Sequence, residues 1–219
     1  MTTNFILNTT YPSLRLLDKV SFALQLMEDY DVLHLPVKSD KKFVGLISKT
    51  DLLDAETTDA LASLQDQFIV QYVKSNDHIV SILKAITRFN LSIIPIVSDN
   101  LEVINCITAY DVMNAIDKFL GNDEPGGIIV LEIERTNYSF GEINRLVETN
   151  DAFITQLNTF IEPETGLMLA TIKINTLEIS DIVSTFQRFE YGIRYFSGEE
   201  HYNNELKDNY ENLLAFLKV

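Results

Sequence analysis

Residues 32–37 (VLHLPV) and 45–51 (GLISKTD) recur as a second copy of the same pattern at residues 91–96 (LSIIPI) and 105–111 (NCITAYD). The copies are offset by 59 positions at the proline and by 60 at the last aspartate, so one inserted residue aligns them. A small repeated unit of this kind cannot bury its apolar face alone and packs against its twin. The duplication therefore predicts two packed units, and the seam between them is a favourable place for a small ligand.

Each copy is predicted to contain a helix, two strands and a second helix, in that order. Apolar residues spaced three and four apart indicate the helices, and short apolar runs bounded by turn residues indicate the strands. Asp18 and Asp77 are predicted to cap the first helix of each copy. The predicted helices cover residues 18–30, 52 to about 65, 77–89 and 108 to about 120, and the predicted strands cover residues 33–38, 43–47, 93–97 and 103–107.

A hydroxyl residue and an aspartate stand three positions apart where a strand meets a helix in both copies. These pairs are Ser48 with Asp51 and Thr108 with Asp111. As a structural motif, the hydroxyl caps the helix and the acid complements its dipole. As a binding motif, the helix N-terminus and the hydroxyl meet a phosphate, and the carboxylate accepts hydrogen bonds from vicinal hydroxyls such as those of a ribose. The residues alone leave both interpretations open.

The strands beside these pairs offer the remaining parts of a nucleotide site. Each strand carries a proline, which removes a backbone donor and interrupts pairing along its edge. Gly45 allows the backbone to approach a neighbour or a ligand closely. The aliphatic residues flanking the prolines are expected to form flat walls for a base. The candidate wall residues are Leu35, Pro36 and Val37 in the first copy and Ile94, Pro95 and Ile96 in the second.

The repeat resembles the CBS domain, a regulatory module, and the two repeats in tandem resemble a CBS pair, or Bateman module. The shared pattern is hydrophobic-Pro-hydrophobic followed by Gly-hydrophobic-hydrophobic-Ser/Thr-x-x-Asp, and it covers roughly residues 5–120, with Asn105 in place of the second glycine. The resemblance implies a pseudo-symmetric pair with two clefts that often bind adenosine-containing ligands such as AMP, ADP or ATP. It assigns the ribose to Asp51 and the phosphate to Ser48.

The first copy is the better candidate for a ligand site under this resemblance. It retains Gly45, and Lys49 lies between Ser48 and Asp51, whereas Ala109 takes the place of Lys49 in the second copy. We therefore expect a non-catalytic regulatory protein that senses an adenine nucleotide and requires no cofactor. The alternatives are a ligand-free scaffold for dimerisation or interaction, and an amino-acid sensor that acts through the C-terminal region.

The segment 121–127 is rich in glycine and turn residues, which indicates a domain boundary. Beyond it, the predicted order is strand, helix, two strands, helix and strand, and this order resembles an ACT domain with a ferredoxin-like architecture. ACT domains often sense amino acids at a Pro-Gly loop after the first strand, and the equivalent residues 134–137 (ERTN) lack both residues. A role in dimerisation or in a shared sheet is therefore favoured. A CBS pair joined to such a domain is similar to the acetoin-utilisation group of bacterial proteins.

The predicted fold class is α/β and α+β, a pseudo-symmetric CBS pair followed by a βαββαβ ACT-like domain and a C-terminal helix. The CBS pair is expected at residues 1–123, with repeats at about 5–66 and 67–123, the ACT-like domain at 127–198 and the helix at 199–219. The last helix carries an apolar stripe, which the same chain or a second subunit must cover. A homodimer is expected.

The composition argues against several classes of protein. A net charge of −15 repels nucleic acids and anionic lipids, and no basic cluster stands out in the sequence, so neither partner is expected. No apolar run reaches the ~20 residues needed to cross a bilayer, and a secretion signal is not apparent, so a cytoplasmic location is expected. Cys106 is the single cysteine and is predicted to pack in a core, and His34 is predicted to be a hydrogen-bonded packing residue. No metal-ligand spacing and no catalytic grouping is found.

Overall fold

In the computed structural model, residues 10–198 are described, and the chain divides into two compact units between Phe119 and Leu120. Each unit has its own hydrophobic core. Both copies of the repeat lie in the first unit. The helix expected at residues 199–219 lies outside the described residues. Within residues 10–198, no helix has the length and apolar character that a membrane span requires.

The first unit consists of two three-stranded sheets and their helices. The sheets have the strand orders β1-β2-β3 and β4-β5-β6, and the helix-strand-strand-helix order predicted for each copy is confirmed. The elements are β1 (Leu14–Arg15), α1 (Val20–Asp29), β2 (His34–Ser39), β3 (Lys42–Ser48), α2 (Lys49–Leu53), a 3₁₀ helix (Leu61–Gln67), β4 (Val73–Lys74), α3 (Ile79–Phe89), β5 (Ile93–Val97), β6 (Val103–Thr108) and α4 (Ala109–Phe119).

The two copies share one strand register. In both, a two-residue lead strand pairs in parallel with the next strand, which pairs antiparallel with the third. Pro36 lies opposite Leu46, Pro95 lies opposite Cys106, and both ladders contain a bulge at the equivalent position. The single inserted residue lies in the β5–β6 turn, where Leu101 adopts a φ of 62°. The alignment of the copies read from the sequence is therefore also the alignment of their backbones.

The second helix of the first copy is shorter than predicted. It ends at Leu53 rather than near Gln65, and after a loop the chain forms the 3₁₀ helix Leu61–Gln67. In that loop, the carbonyl oxygens of Asp59 and Thr57 accept hydrogen bonds from the first two N–H groups of α1, at 3.0 and 3.1 Å. A continuous helix would use these carbonyls internally. The loop therefore provides hydrogen-bond acceptors for the first N–H groups of α1, and α2 ends early because these carbonyls are not available to continue it.

Asp18 and Asp77 do not cap helices, contrary to the prediction. Their carboxylates accept hydrogen bonds from the backbone N–H groups of Arg15 and Lys74, three residues earlier, at 2.7 and 2.8 Å. Each helix begins two residues after its aspartate. Short polar side chains compete for local backbone donors in this way, and here the donor lies in the turn before the helix.

The second unit is an antiparallel four-stranded sheet with the strand order β10-β7-β9-β8. The predicted βαββαβ order is confirmed. Alternate residues of the central strand β7 are buried with residues of both helices in one core. The elements are β7 (Ile128–Ile133), α5 (Phe140–Glu148), β8 (Ile154–Ile161), β9 (Met168–Ile174), α6 (Ser180–Arg188) and β10 (Gly192–Ser197), with a 3₁₀ turn at Arg135–Asn137 between β7 and α5.

Candidate functional site

Each strand-to-helix junction of the first unit carries the predicted hydroxyl–carboxylate pair. We call residues 48–51 the first corner and residues 108–111 the second corner. In the first corner, the Ser48 hydroxyl donates to Oδ2 of Asp51 at 2.6 Å, and the backbone N–H of Asp51 donates to Oγ of Ser48 at 3.1 Å. Ser48 thus caps α2, as the structural interpretation predicts.

The second corner repeats this geometry. The Thr108 hydroxyl donates to Oδ2 of Asp111 at 2.6 Å, and the N–H of Asp111 donates to Oγ1 of Thr108 at 3.0 Å. The N–H of Thr108 also donates to Oδ2, at 3.0 Å. In both corners Oδ2 accepts every hydrogen bond that the carboxylate receives, and Oδ1 makes no hydrogen bond to any other described residue. One carboxylate oxygen in each corner therefore keeps its capacity to accept hydrogen bonds.

A chain of three hydrogen bonds joins the two corners. The N–H of Lys49 donates to the carbonyl of Leu33 at 2.8 Å, and the N–H of Leu33 donates to Oγ of Ser92 at 2.9 Å. The carbonyl of Ser92 then accepts from the N–H of Ala109 at 2.9 Å. Leu33 and Ser92 are equivalent positions of the two copies, so they meet near the pseudo-twofold axis of the pair. The structure therefore brings together the corners that the sequence placed 60 residues apart.

His34 lies at this crossing and is only 8% exposed. The backbone N–H of Ser92 donates to Nδ1 of His34 at 3.2 Å, so the neutral ring carries its proton on Nε2. Burial lowers the pKa of His34, and the nearby carboxylate of Asp51 opposes part of that effect. The prediction of a hydrogen-bonded packing residue is confirmed. The sequence did not single out its partner Ser92, for which the only signal was a polar residue where the first copy has Leu33.

The charge around the first corner is more balanced than the sequence suggested. The ammonium group of Lys49 lies 3.8 Å from a carboxylate oxygen of Glu28 on α1. The Glu28 side chain is largely exposed, so the pair contributes little stability, but it offsets the positive charge expected to face a phosphate. Lys49 can turn toward an anion only by giving up that contact.

The predicted wall residues lie in the core rather than on an open surface. Leu35, Val37, Ile94 and Ile96 are at most 1% exposed, and both prolines are buried as well. The central strand of each small sheet is covered on both faces, so its side chains cannot present a surface to a base. They act as the support behind the corners.

Gly45 makes the predicted close approach, and its neighbour is a side chain of the same chain. A Cβ atom at Gly45 would lie 2.6 Å from Cβ of Phe68. Next to this contact, Leu46 and Ile69 exchange two backbone hydrogen bonds of 2.9 Å. The segment that leads to the second copy therefore runs along the edge of β3 and occupies the space that the glycine provides.

In the second unit, a depression of about 390 Å³ lies beside the loop that follows β7. Four glutamates contribute to its lining, namely Glu132, Glu134, Glu142 and Glu190. Tyr191 donates to Oε2 of Glu142 at 3.2 Å, and burial together with this carboxylate raises the pKa of Tyr191 to about 12. The lining repels a free carboxylate, which every amino-acid ligand carries.

The remaining candidate chemistry of the sequence is inert. Cys106 is buried in the first core, as predicted, and burial raises the pKa of its thiol to about 12. Such a thiol is neither a nucleophile nor a metal ligand at neutral pH. Within the described part of the chain, no three His, Cys, Asp or Glu side chains are grouped in a way that could hold a metal ion.

Comparisons with known proteins agree with this architecture. The family model for the CBS domain matches residues 1–57. Homoserine O-acetyltransferase of Methanobrevibacter ruminantium is 28% identical over 117 residues, which cover 52% of this chain and 24% of that protein. The chain therefore spans about a quarter of the length of this curated relative, and the match does not extend to that whole enzyme.

One of two solved structures compared with this chain is similar in fold. A CBS domain pair/ACT domain protein from Thermotoga maritima superposes with a TM-score of 0.50 at 20% identity, over 55% of this chain and 99% of that one. A putative acetoin utilization protein from Vibrio cholerae gives a TM-score of 0.47 at 22% identity, over 56% of this chain and 95% of that one. At such identities the likeness concerns the fold alone.

Proposed function

We propose, from the premise that this chain carries a CBS domain pair, that it is a non-catalytic regulatory protein that binds an adenosine-containing ligand at the corners. In this proposal Oδ1 of Asp51 or Asp111 accepts hydrogen bonds from the ribose hydroxyls. The hydroxyl of Ser48 or Thr108 and the helix N-terminus face the phosphate. We also propose that it has no nucleic-acid or membrane partner, because a net charge of −15 repels both. A cytoplasmic location is part of the same proposal.

The observation that carries the proposal is the geometry of the two aspartates. Each is fixed by hydrogen bonds through Oδ2 while Oδ1 stays uncommitted among the described residues. The three hydrogen bonds between the corners also connect these two carboxylates to one network. A fixed carboxylate oxygen beside backbone donors suits a ligand that presents vicinal hydroxyls next to an anionic group.

A regulatory effect requires that the ligand prefer one arrangement of the repeats over another. The three hydrogen bonds between the corners provide a direct connection, because moving the N-terminus of α2 pulls on Leu33 and thereby on Ser92. A ligand bound at one corner would shift the packing of the other copy through this connection. The target of the regulation is a further protein or a second subunit.

Thermal unfolding with AMP, ADP and ATP tests the proposal. The parent protein should be stabilised by about 2.7 kcal/mol at a ligand concentration of 100 times Kd. Asp51→Asn and Asp111→Asn, which keep the size of the side chain, should each remove the shift that belongs to their own corner. Equal shifts in the parent and in both variants would refute the assignment of the ribose to these residues.

A ligand-free scaffold is the second candidate, and one observation favours it. Phe68 packs on Gly45, so the close approach attributed to a ligand is already taken by the chain itself. In a scaffold, the hydroxyl–carboxylate pairs act as helix caps alone. The same thermal panel separates the two functions, because a scaffold shows no stabilisation by any of the adenosine compounds in the parent protein.

We propose a homodimer as the functional form. The helix α4 exposes Tyr110 and Met113, which are 69% and 64% exposed, next to the second corner. Large apolar side chains grouped on a helix are typical of association surfaces. Light scattering after size exclusion would show twice the chain mass of 25.0 kDa, and Met113→Glu should shift the protein toward monomer.

A further inference from the structure

We propose a second, separate binding site in the first copy, for an anion that carries two or more phosphate groups. The site is a depression of about 700 Å³ between the lead strand β1 and the β2–β3 turn. Its lining includes three cationic side chains, from Arg15, Lys38 and Lys41. A volume of this size is within the usual range for small-molecule sites.

Strand pairing places two of these cations side by side. Arg15 and Lys38 are register partners in the parallel β1–β2 pair. The preceding partners, Leu14 and Val37, are both fully buried, so Arg15 and Lys38 share the opposite face. Like charges on adjacent strands repel each other. A bound anion between them would convert this repulsion into attraction.

The lining carboxylates do not cancel the cations. Asp18 accepts the backbone N–H of Arg15 at 2.7 Å, so it is committed to its own turn. Within residues 10–198, the side chains of Arg15, Lys38 and Lys41 take part in none of the ion pairs that the structure forms. Three cations face the two carboxylates of Asp18 and Asp40, which leaves an excess of positive charge on a chain of net charge −15.

The second copy provides an internal control for this arrangement. Lys74, the counterpart of Arg15, forms an ion pair with Asp99 at 2.8 Å, so its charge is balanced within the chain. The position of Lys38 is taken by Val97, which is 1% exposed, and the position of Lys41 is taken by Asn100. The cluster of Arg15, Lys38 and Lys41, which we call the basic group, is therefore present in the first copy only, and the architecture of the repeat does not require it.

This site is distinct from the first corner. The corner lies at the His34 end of β2, and the depression lies at the other end, beyond Ser39. A six-residue strand separates them by roughly 17 Å. The inference therefore does not depend on the function proposed above. Because Arg15 and Lys41 are exposed and Lys38 is partly exposed, binding should weaken as salt shortens the range of electrostatic attraction.

Titration calorimetry of the whole chain with inorganic tripolyphosphate at low salt tests the inference. The expected result is saturable binding, tighter than that of inorganic phosphate, which Lys38→Gln combined with Lys41→Gln weakens roughly tenfold. The matched control is Lys84→Gln combined with Lys118→Gln, which removes the same charge from exposed positions of α3 and α4 and should change the affinity less than about twofold.

Three results with the parent protein and the two double variants would overturn the inference. They are no binding to the parent protein, unchanged affinity in the Lys38/Lys41 double variant, or an equal loss in the control variant, which would indicate a response to net charge only. Lys49→Gln removes the cation of the first corner, and a variant that binds tripolyphosphate as the parent does would support a site separate from the corner. Loss of binding in that variant would contradict it.

Discussion

The two copies of the repeat share the backbone of their strands and corners and differ in side-chain chemistry. Their ladders share register and bulge, and both corners hold a hydroxyl–carboxylate pair at 2.6 Å. They differ at the crossing between the copies and at the turn between the two longer strands. The buried His34 of the first copy is replaced by the buried Ile93, and the basic group at the β2–β3 turn is replaced by an ion pair. The duplicated copies thus retain a common scaffold, and substitutions since the duplication have given each copy different side chains in its core and on its surface.

The helices of the two copies show how the same pattern yields different lengths. The helix α4 runs for 11 residues, whereas α2 stops after five. After α2 the chain must cross to the second copy, and on the way its carbonyls cap α1 and its Phe68 covers Gly45. The asymmetry of the pair therefore follows from the connection between the copies.

The largest expected difference between the copies is at Gly45. Gly45→Val should destabilise the first unit by about 3 kcal/mol, because Cβ of the new side chain would overlap Cβ of Phe68. That atom is bonded directly to the backbone and cannot move aside by a rotamer change. Urea unfolding, with hydrogen exchange to assign the transition to residues 10–119, measures the loss. Combining Gly45→Ala with Phe68→Gly, which removes the Cβ atom that would lie 2.6 Å away, should cost less than the sum of the single changes. Additive costs would show that Phe68 is not the obstacle.

Removing the capping hydroxyl of each corner should lower the free energy of unfolding by a smaller amount, and by a different amount at each corner. Thr108→Ala should cost about 1–2 kcal/mol and Ser48→Ala about 1 kcal/mol, because Thr108 is buried and begins the longer helix. Chemical denaturation of each variant gives the comparison. Ser139→Ala, which removes the cap of α5 in the second unit, is the control and should leave exchange in α4 unchanged. A greater loss for Ser48→Ala would reverse the proposed ranking.

Ser92→Ala should cost about 1 kcal/mol, because it removes the side-chain acceptor of the Leu33 N–H at the crossing of the copies. Ser92→Thr keeps the hydroxyl and should retain most of the stability. Hydrogen exchange of the Leu33 amide reports the bond directly. Faster exchange in both variants would mean that the geometry of the crossing, rather than the hydroxyl, protects this amide.

The smallest expected effect is a pH dependence confined to the first copy. Burial lowers the pKa of His34 below its ordinary value of 6.5, so the unfolded chain takes up a proton that the fold resists as the pH falls below 6.5. The free energy of unfolding should therefore decrease from neutral pH toward that range. His34→Gln should flatten the slope. An unchanged slope would show that His34 does not cause it.

Much of the site was predictable because its parts are local. The cap at Ser48 follows from a hydroxyl and an acid three positions apart, and the strand pairs follow from apolar runs around the two prolines. The predictions that failed depended on distant partners. The end of α2 is set by the N-terminus of α1, and the wall residues are buried because helices and neighbouring strands cover both faces of each central strand.

The basic group at the β2–β3 turn was also not predicted, because no basic cluster stood out in the sequence. Arg15 stands far from Lys38 along the chain, and only the parallel pairing of β1 with β2 makes them neighbours. The link between Leu33 and Ser92 is of the same kind, since it joins equivalent positions of the two copies. Contacts across a pseudo-twofold axis leave no periodic signal within either copy.

The sequence by itself determined the duplication, the order of the elements and the chemistry of the corners, because periodicity and capping act over a few residues. The tertiary structure alone decided which of those residues face each other, which are buried and which charges stay unpaired. These outcomes depend on long-range packing, where strand register and the path of the connecting segment choose among neighbours that local propensity cannot distinguish.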